Sequence, residues 1–167
     1  ASSSNPSINC RVWVVADRPS PVPELISKQI LSLTFEVVTV SELQQMSPFN
    51  IDELAMRYSI VEFSTAIKPL AILYLLQVKG AKHVMYFDND CWLTDSLDDL
   101  LYQLQTHLVV ATPHITRPIP EDGKLQKDIN ILASGVLNFG FISFTMSPRS
   151  IEFLNWWYER LRFYGYV

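Results

Sequence analysis

Two carboxylates one residue apart, Asp88 and Asp90, follow the apolar run 84–87 (VMYF). Such a run reads as a buried strand, and alternation in an extended segment would put both acids on one side. In open α/β sheets, ligands sit beyond the carboxyl ends of strands, where this pair falls. Two hard oxygen donors suit Mg²⁺ or Mn²⁺, which completes its shell with water and substrate phosphates. The plainer alternative is a solvated strand-to-helix turn. A calcium loop beginning at Asp88 fails on chemistry. Trp92 stands where its fifth position needs an oxygen ligand, and Leu93 where the sixth needs glycine.

The elements that must hold this pair can be read from periodicity. Strands are expected at 11–16 (RVWVVA), 35–40 (FEVVTV), 83–87 (HVMYF), 108–112 and 139–145. A short helix is expected at 23–33 after prolines 19, 21 and 23, and 41–50 reads as a loop with one helical turn. Helical spacing dominates 51–78, with a helix starting or kinking at Lys68-Pro69 and stopping at Gly80. Ser96 is expected to cap a helix in a box with Asp99, burying Leu97, Leu100, Leu101 and Leu104. Residues 113–130 read as a long polar loop, and such loops are usually functional or mobile. Ser150 is expected to cap the helix 151–163, with Ile151, Leu154, Trp157, Tyr158 and Leu161 on one face. Alternating strands and helices predict an α/β domain with a mostly parallel, Rossmann-like sheet flanked by helices. It would form one domain over 11–167, after a disordered start at 1–10.

Composition bounds the function classes. The 167 residues carry 13 Lys+Arg against 17 Asp+Glu, a net charge of −4, with 49% hydrophobic and 18% charged residues. That suits a globular core and offers no basic stripe for nucleic acid. The longest apolar run, near 70–76, is too short for a membrane span. Cys10 and Cys91 form no metal-like spacing, and reduced thiols suit a cytoplasmic location. Residues 1–7 lack the basic flank and apolar stretch of a signal peptide.

Four blocks together resemble GT-A-fold glycosyltransferases, particularly the bacterial-type group that builds surface polysaccharides. They are 57–69 (RYSIVEFSTAIKP), 84–101 (VMYFDNDCWLTDSLDDLL), Thr112-Pro113-His114 and 131–141 (ILASGVLNFGF). The tail 153–161 (FLNWWYERL) is similar too. The blocks stand in the family's order and cover roughly 35–162. Thr65-Ala66-Ile67-Lys68-Pro69 followed by Asp-x-Asp and Gly-x-x-Asn-x-Gly is more specific than any single block.

The resemblance implies a donor site for a nucleotide-diphosphate sugar. Asp90 would bind Mn²⁺ or Mg²⁺ bridging the diphosphate, and Asp88 would assist the metal or touch the ribose. Lys68 would meet phosphate or sugar hydroxyls, or is simply a solvated lysine. Gly135 and Asn138 match the loop that reads donor-sugar hydroxyls, although ordinary turn geometry also explains Gly135 and Gly140. His114 and Asp128 are acceptor-side candidates for catalysis; surface or packing roles compete for both. His83 and His107 read as structural. Trp157 and Tyr158 are core residues by spacing, and Trp156 is the freer aromatic.

The departures point elsewhere as well. Members carry a further strand and helix before the equivalent of 11–16, unless 11–17 takes that place and Asp17 faces the base. They also continue beyond the Trp-Trp helix into a segment that commonly supplies a third metal ligand. A catalytically silent GT-A-like binding or assembly module is therefore the main alternative. It would form a homo-oligomer through an aromatic surface at Trp156, Phe163, Tyr164 and Tyr166. A haloacid-dehalogenase-like phosphatase, with Asp88 as nucleophile, is the weaker one. It calls for a later strand ending in paired acids, and Asp98-Asp99 open a helix instead.

Overall fold

The computed structural model describes residues 11–16, 34–88, 90–120, 122–123 and 128–165. The start at 1–10, Asp17, the helix expected at 23–33 and Tyr166 lie outside the described residues. The chain divides into two compact units, one from residues 1–81 and 151–167, the other from 82–150.

In the first unit β1 (Arg11–Ala16) and β2 (Thr34–Thr39) pair in parallel, from Arg11 opposite Thr34 to Ala16 opposite Thr39. Strand β2 turns directly into α1 (Val40–Gln44), because Thr39 and Glu42 form a capping box. Glu42 Oε2 accepts the Thr39 backbone N–H at 2.7 Å, and Thr39 Oγ1 accepts that of Glu42 at 3.2 Å. Helix α2 (Ile51–Arg57) is capped by Asn50, and α3 (Ile60–Gln77) by a second box between Ser59 and Glu62. Two such boxes satisfy backbone donors that a helix start otherwise leaves orphaned.

Pro69 lies inside α3, which runs unbroken through it. The expected helix start at Lys68-Pro69 is therefore corrected to Ile60. The ring is buried and the helix packs on both sides of it, so tertiary burial outweighs the missing backbone donor. Val38, Leu43, Ile51, Leu54, Ala66, Ile67, Leu70, Tyr74 and Tyr158 form the core of this unit. Helix α3 is also long and apolar enough to cross a membrane by composition, with a mean hydropathy of 1.3 over 18 residues. Half of it is already buried in the protein, as in the core helix of a globular fold.

Helix α6 (Pro148–Tyr164) belongs to this unit from Ile151 onward. The Tyr58 hydroxyl donates to the Leu161 carbonyl at 2.6 Å, and Tyr158 shares a hydrogen bond with Ser47 at 2.8 Å. Its cap is Ser147, whose hydroxyl oxygen accepts the Ser150 N–H at 3.0 Å. Ser150 sits inside the first turn rather than capping it, because Pro148 occupies the first helical position.

The second unit holds β3 (His83–Phe87), α4 (Asp98–Thr106), β4 (Val109–Pro113), α5 (Asp128–Ser134) and β5 (Leu137–Thr145). The sheet order is β3-β5-β4, and both pairings are antiparallel. The fold is thus mixed α and β, but the mostly parallel Rossmann-like sheet is corrected to a three-stranded antiparallel one. The alternation of strands and helices misled because Pro113 pairs with Leu137. The segment between them leaves and re-enters the same end of the sheet as a wide hairpin. A helix within a hairpin loop has the same periodicity as a crossover helix.

Two local expectations also change. No side chain caps α4 at Leu97; Ser96 Oγ accepts only the Asp98 N–H, at 3.4 Å, so the Ser96–Asp99 box does not form. The long loop ends at Asp128, where α5 begins, instead of running to Asn130.

Candidate functional site

Strand β3 delivers Tyr86 and then Asp88, two positions on and therefore on the same side of the chain. The Tyr86 hydroxyl donates to Asp88 Oδ1 at 2.5 Å. Burial, and then this carboxylate, push the Tyr86 hydroxyl above its usual range, with Cys91 and Asp90 adding in the same direction. Asp90 is exposed and near enough to act on that hydroxyl. The two acids do not alternate along one extended segment. The Cys91 N–H donates to the Asp88 carbonyl at 3.0 Å, so the chain turns as it leaves the strand.

Strand β5, paired with β3, supplies the neighbouring groups. Ala111 of β4 faces Ile142, yet Thr112 faces Asn138, so β4 skips Phe139, Gly140 and Phe141. A bulge of this kind re-aims a strand locally. Phe141 pairs with Phe87 of β3, and the Asp88 N–H donates to the Gly140 carbonyl at 2.8 Å. The Cys91 thiol reaches the same carbonyl at 3.4 Å, and Asn138 Oδ1 accepts the Gly140 N–H at 2.8 Å. A methyl group on Gly140 would lie 3.0 Å from Asn138 Oδ1, 3.6 Å from Asp88 Oδ2 and 3.9 Å from Cys91 Sγ. The absence of a side chain at Gly140 thus lets Asn138, Asp88 and Cys91 close in on its backbone.

The neck of the loop, between the end of β4 and the start of β5, forms a second group. His114 donates its backbone N–H to Val136 at 3.0 Å, and its Nδ1 lies 2.7 Å from the Gly135 carbonyl. A carbonyl only accepts, so Nδ1 carries the proton and the neutral ring presents Nε2 as a base. Gly135 has φ of +107°, open to glycine and strained for other residues.

Asp128 braces the loop, its Oδ1 accepting the Ile119 N–H at 3.0 Å. Lys68 is buried in the middle of α3 in the first unit, not at a helix start. His83 and His107 do serve structure: His83 Nδ1 meets Thr145 Oγ1 at 3.1 Å, and His107 sits at the end of α4 against Gln103 and Thr106. Sequence reasoning missed Tyr86 and Trp92. The two-residue spacing to Asp88 was the available signal for Tyr86. Trp92, two residues after Asp90, is 87% exposed.

Among the described residues, no three His, Cys, Asp or Glu gather as a ready cation site. Asp88 and Asp90 are two hard oxygen donors, which suits Mg²⁺ or Mn²⁺ holding water and substrate phosphates for the rest of its shell. Neither β4 nor β5 ends in paired acids. No protein family, curated protein or solved structure matches the chain.

Proposed function

We propose that the chain is a metal-dependent glycosyltransferase, moving a sugar from a nucleotide-diphosphate donor to an acceptor hydroxyl in glycan or polysaccharide synthesis. One observation carries the reading: the Asp88 backbone N–H bonds the Gly140 carbonyl, so Asp-x-Asp and Gly-x-x-Asn-x-Gly adjoin. These are the blocks that the resemblance assigns to metal and donor sugar. A catalytically silent module would have no need of both.

Asp88 and Asp90 would hold Mn²⁺ or Mg²⁺, which when bound stabilises the negative charge on a departing diphosphate. The Tyr86 hydroxyl orients the Asp88 carboxylate through Oδ1. Asn138 turns its oxygen to the Gly140 N–H, so its amide nitrogen is the end that donates to a sugar hydroxyl. His114 Nε2 is the group that takes the acceptor proton, because Nδ1 is committed to Gly135. Asp128 then serves the loop.

Calorimetric titration of UDP and GDP, with and without Mn²⁺, tests the reading. Expected are metal-dependent binding of one nucleotide and its loss by at least about tenfold in Asp90→Ala. Asp90 is exposed, so this variant keeps the fold. Binding of neither nucleotide with any metal, or binding unchanged in Asp90→Ala, overturns it. Metal-dependent release of phosphate from a simple phosphoester would favour a phosphatase instead.

A further inference from the structure

Asp88 enters the acid turn with one of its two carboxylate oxygens already engaged. The Tyr86 hydroxyl donates to Oδ1 at 2.5 Å, the short end of the range for a hydroxyl on a carboxylate. Both residues are half-buried, so water competes for this bond less than on an open surface. Strand β5 holds both ends of it: Tyr86 pairs with Ile142, and the Asp88 N–H donates to the Gly140 carbonyl.

The other oxygens around Asp88 are engaged as well. The Gly140 carbonyl accepts the Asp88 N–H at 2.8 Å and the Cys91 thiol at 3.4 Å, which occupies both of its lone pairs. Asn138 Oδ1 accepts the Gly140 N–H at 2.8 Å, and the Asp88 carbonyl accepts the Cys91 N–H at 3.0 Å. Ca²⁺ takes roughly six to eight oxygens, often with a bidentate carboxylate among them. Mg²⁺ demands a near-ideal octahedron and keeps several waters, and a bidentate carboxylate spans too narrow an angle for that shape. A turn this poor in uncommitted oxygens, with one acid restricted to a single oxygen, suits the smaller ion.

We infer that Tyr86 sets the cation selectivity of the acid turn: by engaging Asp88 Oδ1 it restricts Asp88 to a one-oxygen grip, favouring Mn²⁺ and Mg²⁺ over Ca²⁺. The inference rests on the reading of Asp88 and Asp90 as metal ligands. Tyr86 acts through Asp88 and is therefore a positioning residue.

Titration of the full chain with Mn²⁺ alone tests it, with the free ion followed by electron paramagnetic resonance and Ca²⁺ as the competitor. The native chain is expected to prefer Mn²⁺ to Ca²⁺ by at least about tenfold. Tyr86→Phe is expected to cut that preference by about fivefold through tighter Ca²⁺ binding, since both Asp88 oxygens can then chelate. A merely structural loss would weaken both ions alike and leave their ratio unchanged. The phenylalanine ring keeps the packing of the tyrosine ring, and far-ultraviolet circular dichroism checks that the variant is folded. A native preference for Ca²⁺ overturns the inference without any variant. If Mn²⁺ binds, and Asp90→Ala loses it, but Tyr86→Phe keeps the native ratio, the inference falls and the metal reading stands. A native chain that binds neither ion, or whose Mn²⁺ binding survives in Asp90→Ala, overturns both.

Discussion

The backbone N–H of Asp88 donates to the carbonyl of Gly140 at 2.8 Å, just where β4 drops out of register with β5. That one bond joins the acid turn to the asparagine-glycine segment. It also explains why glycine stands at 140: a methyl group there would press on Asn138 Oδ1 at 3.0 Å.

Gly140→Ala is therefore expected to displace the Asn138 side chain from the Gly140 N–H. The backbone of Gly140 is not left-handed, so the cost comes from the methyl contact and the lost hydrogen bond, about 1 kcal/mol. Chemical denaturation measures that loss. Under the proposed function, nucleotide affinity in the presence of Mn²⁺ falls as well, which calorimetry reads separately.

Glu42 supports both a helix start and an acid limb of stability. Its hydrogen bond from the Thr39 backbone, above all, holds its carboxyl below the ordinary 4.5, with the Thr39 and Tyr74 hydroxyls helping. The stability it adds is complete above the unfolded value and is lost as pH falls through the lower folded one. Glu42→Ala should cost about 1 kcal/mol at neutral pH through the lost capping box. Glu42→Gln should keep most of the cap and flatten this acid limb, as thermal melts across the acid range would record.

His83 gives a second pH response, above the carboxylate range. Burial, then Lys82, hold its imidazole below the ordinary 6.5. As pH falls through 6.5, the unfolded chain takes up the proton first, so the folded state loses stability between the unfolded and folded values. Melts of the native chain should fall from neutral to mildly acidic pH. His83→Gln should remove that part of the decline; an unchanged slope would assign it to other groups.

The two adjacent tryptophans of α6 should behave oppositely. Trp157 is buried, and Trp157→Ala should cost about 3 to 5 kcal/mol by denaturant titration. Trp156→Ala, at low protein concentration, should leave unfolding within about 0.5 kcal/mol of native. Equal losses at both positions would show that Trp156 is part of the monomer's core.

Much of the local structure was legible because its signals span only a few residues. Residues 11–16 and 83–87 are strands as their apolar runs predict, and the last helix buries Leu154, Trp157 and Tyr158 as its spacing predicts. The Thr39–Glu42 and Ser59–Glu62 boxes, which periodicity alone did not single out, mark the starts of α1 and α3. Ser96–Asp99 carries a similar signal without forming the box, because α4 begins at Asp98 and its first turn meets Ser96 differently. Spacing also placed a helix start at Pro69 that lies at Ile60, since burial of a whole helix can absorb one missing donor.

The sequence by itself determined the strands, the helix faces, the acid pair and its two-residue distance from Tyr86. These follow from side-chain periodicity and short-range hydrogen bonding, which act within a turn or a pleat. Only the tertiary structure decided that β5 enters between β3 and β4 in the antiparallel sense, and that β4 skips Phe139 to Phe141. Strand direction depends on which distant edge satisfies the backbone donors, and no local pattern encodes that choice. The meeting of Asp88 with Gly140 and Asn138 follows from it.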